Sequence, residues 1–300
     1  MKTLLSPRDL AEAIGVSESS IKRWVDDGVI QAAKTAGGHR RIATPEAVRF
    51  IRESRSVVVR PDLLGFREVA ALKGELPAAG DEAKRLFDYL RAGAAPEAHG
   101  LLLSLYLGGQ SVAEIVDGPL QSAMEWLGEL WTKEEPGIFW EHRATEIAIR
   151  SMANIRSLFS PPDDALLAVG GAPAGDPYSL PTISAAAVLE SVGWRAVNLG
   201  PDTPIESLLL AVESLRPQLV WLSVSVVAEP EALRQGVERL ILGLSKQSLS
   251  LVLGGSASDQ LDLGPQSLLH VGERMSELEA FAKGLALASE AGPREIENAG

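Results

Sequence analysis

Three groups of residues in this 300-residue chain have the types and spacing to do chemistry. Asp176-Pro177-Tyr178-Ser179-Leu180-Pro181 places a carboxylate and a phenol two residues apart, just after the apolar run Leu166-Leu167-Ala168-Val169. Trp131 stands ten positions before the pair Glu141-His142 and so offers an indole, a carboxylate and an imidazole. Lys34, His39, Arg40 and Arg41 surround Gly37-Gly38 and put cations on a turn, where phosphate oxygens are their natural partners. A phenol with an ordinary pKa near 10 ligates a metal only beside a strong local cation. His39 has no neighbouring ligand in sequence, so it is read with the arginines and not as a metal site.

Other chemistries are poorly supported. With no Cys, the chain has no disulfide, thiolate metal site or Cys nucleophile. It lacks the Gly-x-Gly-x-x-Gly fingerprint after its first C-terminal strand, a phosphate-binding P-loop, a His-Glu-x-x-His pair and a Gly-x-Ser-x-Gly elbow. Ser179 has no His near it in sequence, and His270 falls on a late strand. No catalytic residue and no metal site is expected, and the chain is not read as an enzyme.

The net charge of −12 is unevenly spread. Residues 1–60 hold 11 Lys/Arg against 7 Asp/Glu, whereas the remainder holds 17 against 33. A basic head on an acidic body suits one nucleic-acid-binding domain attached to something that binds none. No apolar run approaches the roughly 18 residues that span a bilayer, and no signal-peptide core follows Met1. A cytoplasmic protein without membrane partners is expected.

Ser6-Pro7 starts a helix that Gly15 stops, and Ser17 starts a second with Ile21, Trp24 and Val25 on one side. Two short helices joined by Gly15-Val16-Ser17 form a helix-turn-helix. A strand beginning at Val29-Ile30, a hairpin over residues 34–42 and a helix from Thr44 to Arg52 complete the domain over residues 1–56. The order helix-turn-helix, Gly-Gly-His-Arg-Arg wing, helix resembles MerR-type and excisionase-like DNA-binding domains over about residues 3–55. That resemblance implies double-stranded operator DNA as partner. Ser19, Ser20, Lys22 and Arg23 become groove candidates, and Lys34, His39, Arg40 and Arg41 wing candidates.

Residues 57–80 read as a linker with some docked structure, and residues 81–160 as a four-helix bundle with helices over 82–90, 96–107, 112–131 and 138–158. Residues 161–290 alternate strand and helix, which predicts a parallel, doubly wound five-stranded sheet, and 291–300 form a tail. The fold class is therefore multidomain α and α/β: a winged helix-turn-helix, a four-helix bundle and a flavodoxin-like (Rossmann-type) domain.

The last two domains resemble those of cobalamin-dependent photoreceptor repressors of the CarH type over roughly residues 80–290. Trp131, Glu141 and His142 match that family's Trp-x9-Glu-His motif, whose side chains frame the upper face of the corrinoid. The loop at 176–181 matches its Asp/Glu-x-His-x-x-Gly, in which the His ligates cobalt from below and the acid orients it. Ser223, Ser225, Gly254 and Gly255 match small residues that surround the buried nucleotide tail, which needs room between strand ends. Two departures stand out: Tyr178 replaces the lower His, and Thr132 stands where light-sensing members carry the upper one. A neutral hydroxyl is a poor cobalt ligand.

The resemblance therefore implies a DNA-binding transcriptional regulator, a repressor, that assembles as a homo-oligomer, dimer or tetramer, and does not perform the family's photochemistry. Asp176, Tyr178 and the other candidates leave cobalamin, another tetrapyrrole or no ligand open. A corrinoid carrier for methyl transfer is the reading from another class; Tyr178 and the Arg40-Arg41 head count against it.

Overall fold

The computed structural model describes residues 3–72, 80–131, 137–264 and 267–290, in two compact units, Met1–Ser160 and Pro161–Gly300. In the first, α1 (Pro7–Ile14) is capped by the Ser6 hydroxyl and a reciprocal bond from Asp9, and it ends at Gly15 in the left-handed conformation. Ser17 caps α2 (Glu18–Asp26) by accepting from the Ser20 N–H. Leu10, Ala13 and Ile14 on α1 and Ile21 on α2 are buried, and Trp24 stacks obliquely on Phe50, 5.2 Å between centroids.

The predicted strand at Val29-Ile30 does not form. Segment 29–31 is instead held by α3 (Thr44–Glu53): Arg49 donates to the Val29 carbonyl at 2.9 Å, and Glu46 accepts from the Gln31 N–H at 2.6 Å. The hairpin consists of β2 (Ala33–Lys34) and β3 (Arg40–Ala43), and β1 (Leu4–Leu5) pairs along the other edge of β3, giving the order β1-β3-β2. Two-residue β1 was too short to leave a periodic signal.

The stretch expected to be a linker is well packed where it is described. Val59 and Arg60 both donate backbone N–H groups to the Ala13 carbonyl, a turn covers Pro61–Leu64, and α4 (Arg67–Ala71) lies against α6 (Ala95–Leu107). The approach is so close that a Cβ at Gly100 would sit 2.3 Å from the Glu68 carbonyl oxygen. α5 (Glu82–Ala92), α6, α8 (Gln121–Trp131) and α9 (Gly137–Arg156) build the bundle. The single helix expected over 112–131 begins as α7 (Val112–Ile115) and passes through a π-helical turn, Val116–Leu120, into α8. Pro119 lies in that turn; it lacks the N–H an α-helix would need, and the wider turn accommodates it.

The second unit is a five-stranded parallel sheet of order β5-β4-β6-β7-β8, the flavodoxin-like order expected. Its strands are β4 (Leu167–Gly171), β5 (Arg195–Asn198), β6 (Leu219–Ser223), β7 (Ser250–Gly254) and β8 (Leu269–Val271). Its helices are α10 (Leu180–Ser191), α11 (Ile205–Leu215), α12 (Pro230–Ser245) and α13 (Met275–Glu290). Val169, Val220, Leu222 and Leu253 pack with Leu208, Val212, Val237 and Leu240 from α11 and α12. The alternating residues, including Gly170 and Trp221, turn toward α10, whose inner surface is made narrow by Ala185 and Ala186.

Candidate functional site

The DNA candidates lie on α2 and on the hairpin of the N-terminal domain. Ser19, Lys22 and Arg23 are exposed on α2, as are Lys34 and His39 on the hairpin, while Arg40 and Arg41 are partly covered on β3. Ser20 is half-buried, and its hydroxyl is shared with Ser17 at 2.9 Å, so it serves the helix cap first. Arg40 bridges wing and helix, its guanidinium 2.6 Å from the Asp26 carboxylate. Lys22 pairs with Glu18 at 2.8 Å, both well exposed, a contact that water screens and a phosphate can displace. Among the described residues Arg23, Lys34 and Arg41 hold no ion pair, so they are the candidate cations most available to an anion. The hairpin tip closes with Thr35 donating to the His39 carbonyl and its hydroxyl accepting from the His39 N–H.

In the bundle, α8 reaches Trp131; its side chain and Thr132 lie outside the described residues. Glu141 is mostly covered and accepts from the Thr145 hydroxyl at 3.0 Å, whereas His142 is largely exposed, its Nε2 3.5 Å from Glu141. Aromatic and cationic groups surround them: Arg91 lies over Trp140, Arg143 over Phe139, and Phe87 meets Trp126 edge-on. Trp126, Ile138 and Phe139 remain exposed.

The α/β unit brings its candidate residues to one edge of the sheet, as the topology predicts. Asp176 is completely buried; one carboxylate oxygen accepts from the Tyr178 N–H at 3.0 Å and the other from Ser225 and Val226 at 2.6 and 3.3 Å. The acid that the resemblance assigns to an imidazole therefore spends its lone pairs on the backbone, stitching the loop after β4 to the end of β6. Tyr178 is 45% exposed, and its phenol does not face a buried centre. Asp202 anchors the same loop by accepting from the Gly175 N–H at 2.8 Å.

Ser223, Ser225, Gly254 and Gly255, expected to leave room, lie where the ends of β6 and β7 approach one another. A Cβ at Gly255, whose φ is +105°, would lie 2.3 Å from the Val224 oxygen, and one at Gly254 3.0 Å from the Gly272 oxygen. The Val224 N–H donates to Gly254 at 2.7 Å and the Ala257 N–H to Val224 at 3.0 Å. Glycine is needed at both positions because strand ends close on one another. Ser223 is buried, and the enclosed Ser225 hydroxyl has no partner among the described residues.

Sequence reasoning passed over two residues. Trp221, 2% exposed, lies across Gly170, where a Cβ would come within 2.1 Å of its ring, and it donates from Nε1 to the Thr182 hydroxyl on α10 at 3.1 Å. The available signal was its position two residues before Ser223, hence on the same sheet face. Arg52 on α3 donates to the Tyr106 and Gln110 carbonyls at the end of α6, with its guanidinium 3.8 Å above the Tyr106 ring. Nothing local in the sequence marks it.

Residues 4–58 match the helix-turn-helix domain family. Over 228 residues, 75% of this chain and 77% of the relative, the sequence is 23% identical to the HTH-type transcriptional repressor CarA of Myxococcus xanthus. The solved structure of the monomethylamine corrinoid protein of Methanosarcina barkeri aligns along its whole length with 69% of this chain, with a TM-score of 0.53 and 17% identity. The chain thus joins a helix-turn-helix domain to the helical and α/β fold of that corrinoid protein.

Proposed function

We propose that the chain is a DNA-binding transcriptional repressor whose C-terminal module, built on a corrinoid-protein fold, serves assembly and not cobalamin photochemistry. The carrying observation is the pairing of an exposed helix, bearing Lys22 and Arg23, with a cationic hairpin bearing Lys34 and Arg41. Ser19, Ser20, His39 and Arg40 complete the surface. The likeness to CarA over three quarters of the chain supports the same reading. Arg23 reads base edges in the major groove, and the hairpin cations hold phosphates and set register.

One helix-turn-helix covers only a half-site, so the chain acts as a dimer or tetramer on a two-part operator. Among the described residues no helix is long and apolar enough to cross a membrane. A cytoplasmic regulator without catalytic activity is the form this reading takes.

The residues do not fit a cobalamin held in the manner of the corrinoid fold. Tyr178 is half exposed, Asp176 is committed to three backbone N–H groups, and Gly254 and Gly255 at the end of β7 lie against the Gly272 and Val224 oxygens. A tetrapyrrole held by the bundle through Glu141 and His142 is the second reading, and it rests on the exposed His142 and Phe139 of α9.

The test is selection of bound duplexes from a random-sequence DNA pool, followed by light scattering of the complex. Enrichment of a two-part site, lost with Arg23→Ala, is expected. No enrichment above bulk DNA, or a monomer on every selected duplex, would sink the proposal.

A further inference from the structure

We infer that the space between β4, β6 and α10 is a site shaped for a flat bicyclic heteroaromatic group, and that the chain fills it with its own Trp221 indole. The α/β domain is therefore held in an occupied form without a ligand. This deepens the ligand-independent assembly role proposed above and rests on it only for its biological meaning.

Alternation along β6 sends Val220 and Leu222 toward α11 and α12 and Trp221 toward α10. An indole in mid-strand is wide for a sheet face covered by a helix, and three features accommodate it. Gly170 on the adjacent strand has no side chain, and none would fit beneath the ring. Ala185 and Ala186 keep the inner surface of α10 low. Thr182, fully buried, accepts the indole N–H.

The polar groups around the ring are also used up. Thr182 donates onward to Asn198 Oδ1 at 2.9 Å, and the same oxygen accepts from the Gly200 N–H at 3.0 Å. An entering heterocycle would have to displace the indole and break this network, and leaving it half-made would cost more than it returned. At the loop edge the Ser225 hydroxyl is still unpartnered, so an external group meets only the rim. A corrinoid with a nucleotide tail has no advantage over one without.

The consequence is a cryptic cavity that a single substitution opens. Apolar cavities made by removing a large side chain take up flat aromatic molecules. Trp221→Ala in the full chain should lower the melting temperature by roughly 10 °C. Benzimidazole or indole should then restore about half of that loss in a saturable manner, while neither shifts the wild type. In parallel, wild-type chain is incubated with hydroxocobalamin and with cobinamide, the same corrin ring without the tail, and desalted. The two should be retained equally or not at all.

A Trp221→Ala chain that melts like wild type, or that melts lower and responds to neither heterocycle, overturns the inference. So does wild-type chain that keeps cobalamin and loses cobinamide. Should Trp221→Ala fail to fold, the cobalamin and cobinamide comparison decides. Neither arm reads DNA binding, so failure here leaves the repressor proposal standing, and failure of DNA selection leaves this one.

Discussion

The guanidinium of Arg52 sits 3.8 Å above the Tyr106 ring and donates to the carbonyls of Tyr106 and Gln110, fastening the DNA-binding domain to the C-terminal end of α6. A cation at that end meets the negative pole of the helix and carbonyls that lack helical partners. Arg52→Met keeps the stem and removes these bonds. It should lower stability by about 2 kcal/mol, read as a reduced urea midpoint; an unchanged midpoint would mean that the contact is cosmetic.

The wing makes an asymmetric prediction. Arg41 holds no ion pair among the described residues, so Arg41→Ala should flatten the salt dependence of DNA binding by about 0.9 in log–log slope. Arg40 is held by Asp26 and should contribute less. Asp26→Ala should release it and steepen the slope. Equal effects of the two arginine variants would remove Asp26 from the account.

Asp176 should be the most costly polar residue to remove from the α/β unit. Asp176→Ala strands the N–H groups of Tyr178, Ser225 and Val226, for a loss of about 3 kcal/mol. Asp176→Asn keeps one good acceptor and should recover part of it. Thermal melting of the two variants checks the order.

The pH dependence of stability should carry a signature of His99. Burial holds its imidazole below the ordinary value, opposed by a hydrogen bond to the Ile147 carbonyl and by Glu68, while Arg150 adds to the lowering. The unfolded chain then binds the proton more readily. The contribution of this group is intact above the unfolded value of about 6.5 and is lost as pH falls below it toward the folded value. His99→Gln should therefore flatten the decline of urea midpoint between neutral pH and about pH 5. An unaltered decline would assign it to other groups.

An imidazole introduced at position 178 should not confer light-dependent corrinoid chemistry. Tyr178→His places it on an exposed loop position whose acid is already committed, above a slot filled by Trp221. After incubation with adenosylcobalamin and desalting, Tyr178→His should retain no more corrinoid than wild type, and green light should leave gel-filtration volume and DNA affinity unchanged. A light-driven change in assembly that survives removal of free cobalamin would overturn this and direct attention to His142.

The sequence by itself determined the helix-turn-helix, the bundle helices and the order of the parallel sheet. Ser6, Gly15 and Ser17 cap and stop helices through bonds a few residues long, and alternating strands with short crossovers admit few topologies. That position 178 carries a phenol and not an imidazole was equally legible, because residue type is read directly. Tertiary structure alone decided what the surviving residues do. Asp176 looked like an acid awaiting a partner until Ser225, 49 positions later, came within 2.6 Å. Gly254 and Gly255 read as small residues at a strand end, and only the fold shows the Gly272 and Val224 oxygens that a side chain there would meet. Trp221 looked like one more apolar residue in a strand; its meaning lay in Gly170 and Thr182, on a neighbouring strand and an overlying helix. Local bonds are written in local sequence, whereas occupancy of a space depends on every element that bounds it, and those elements meet only after folding.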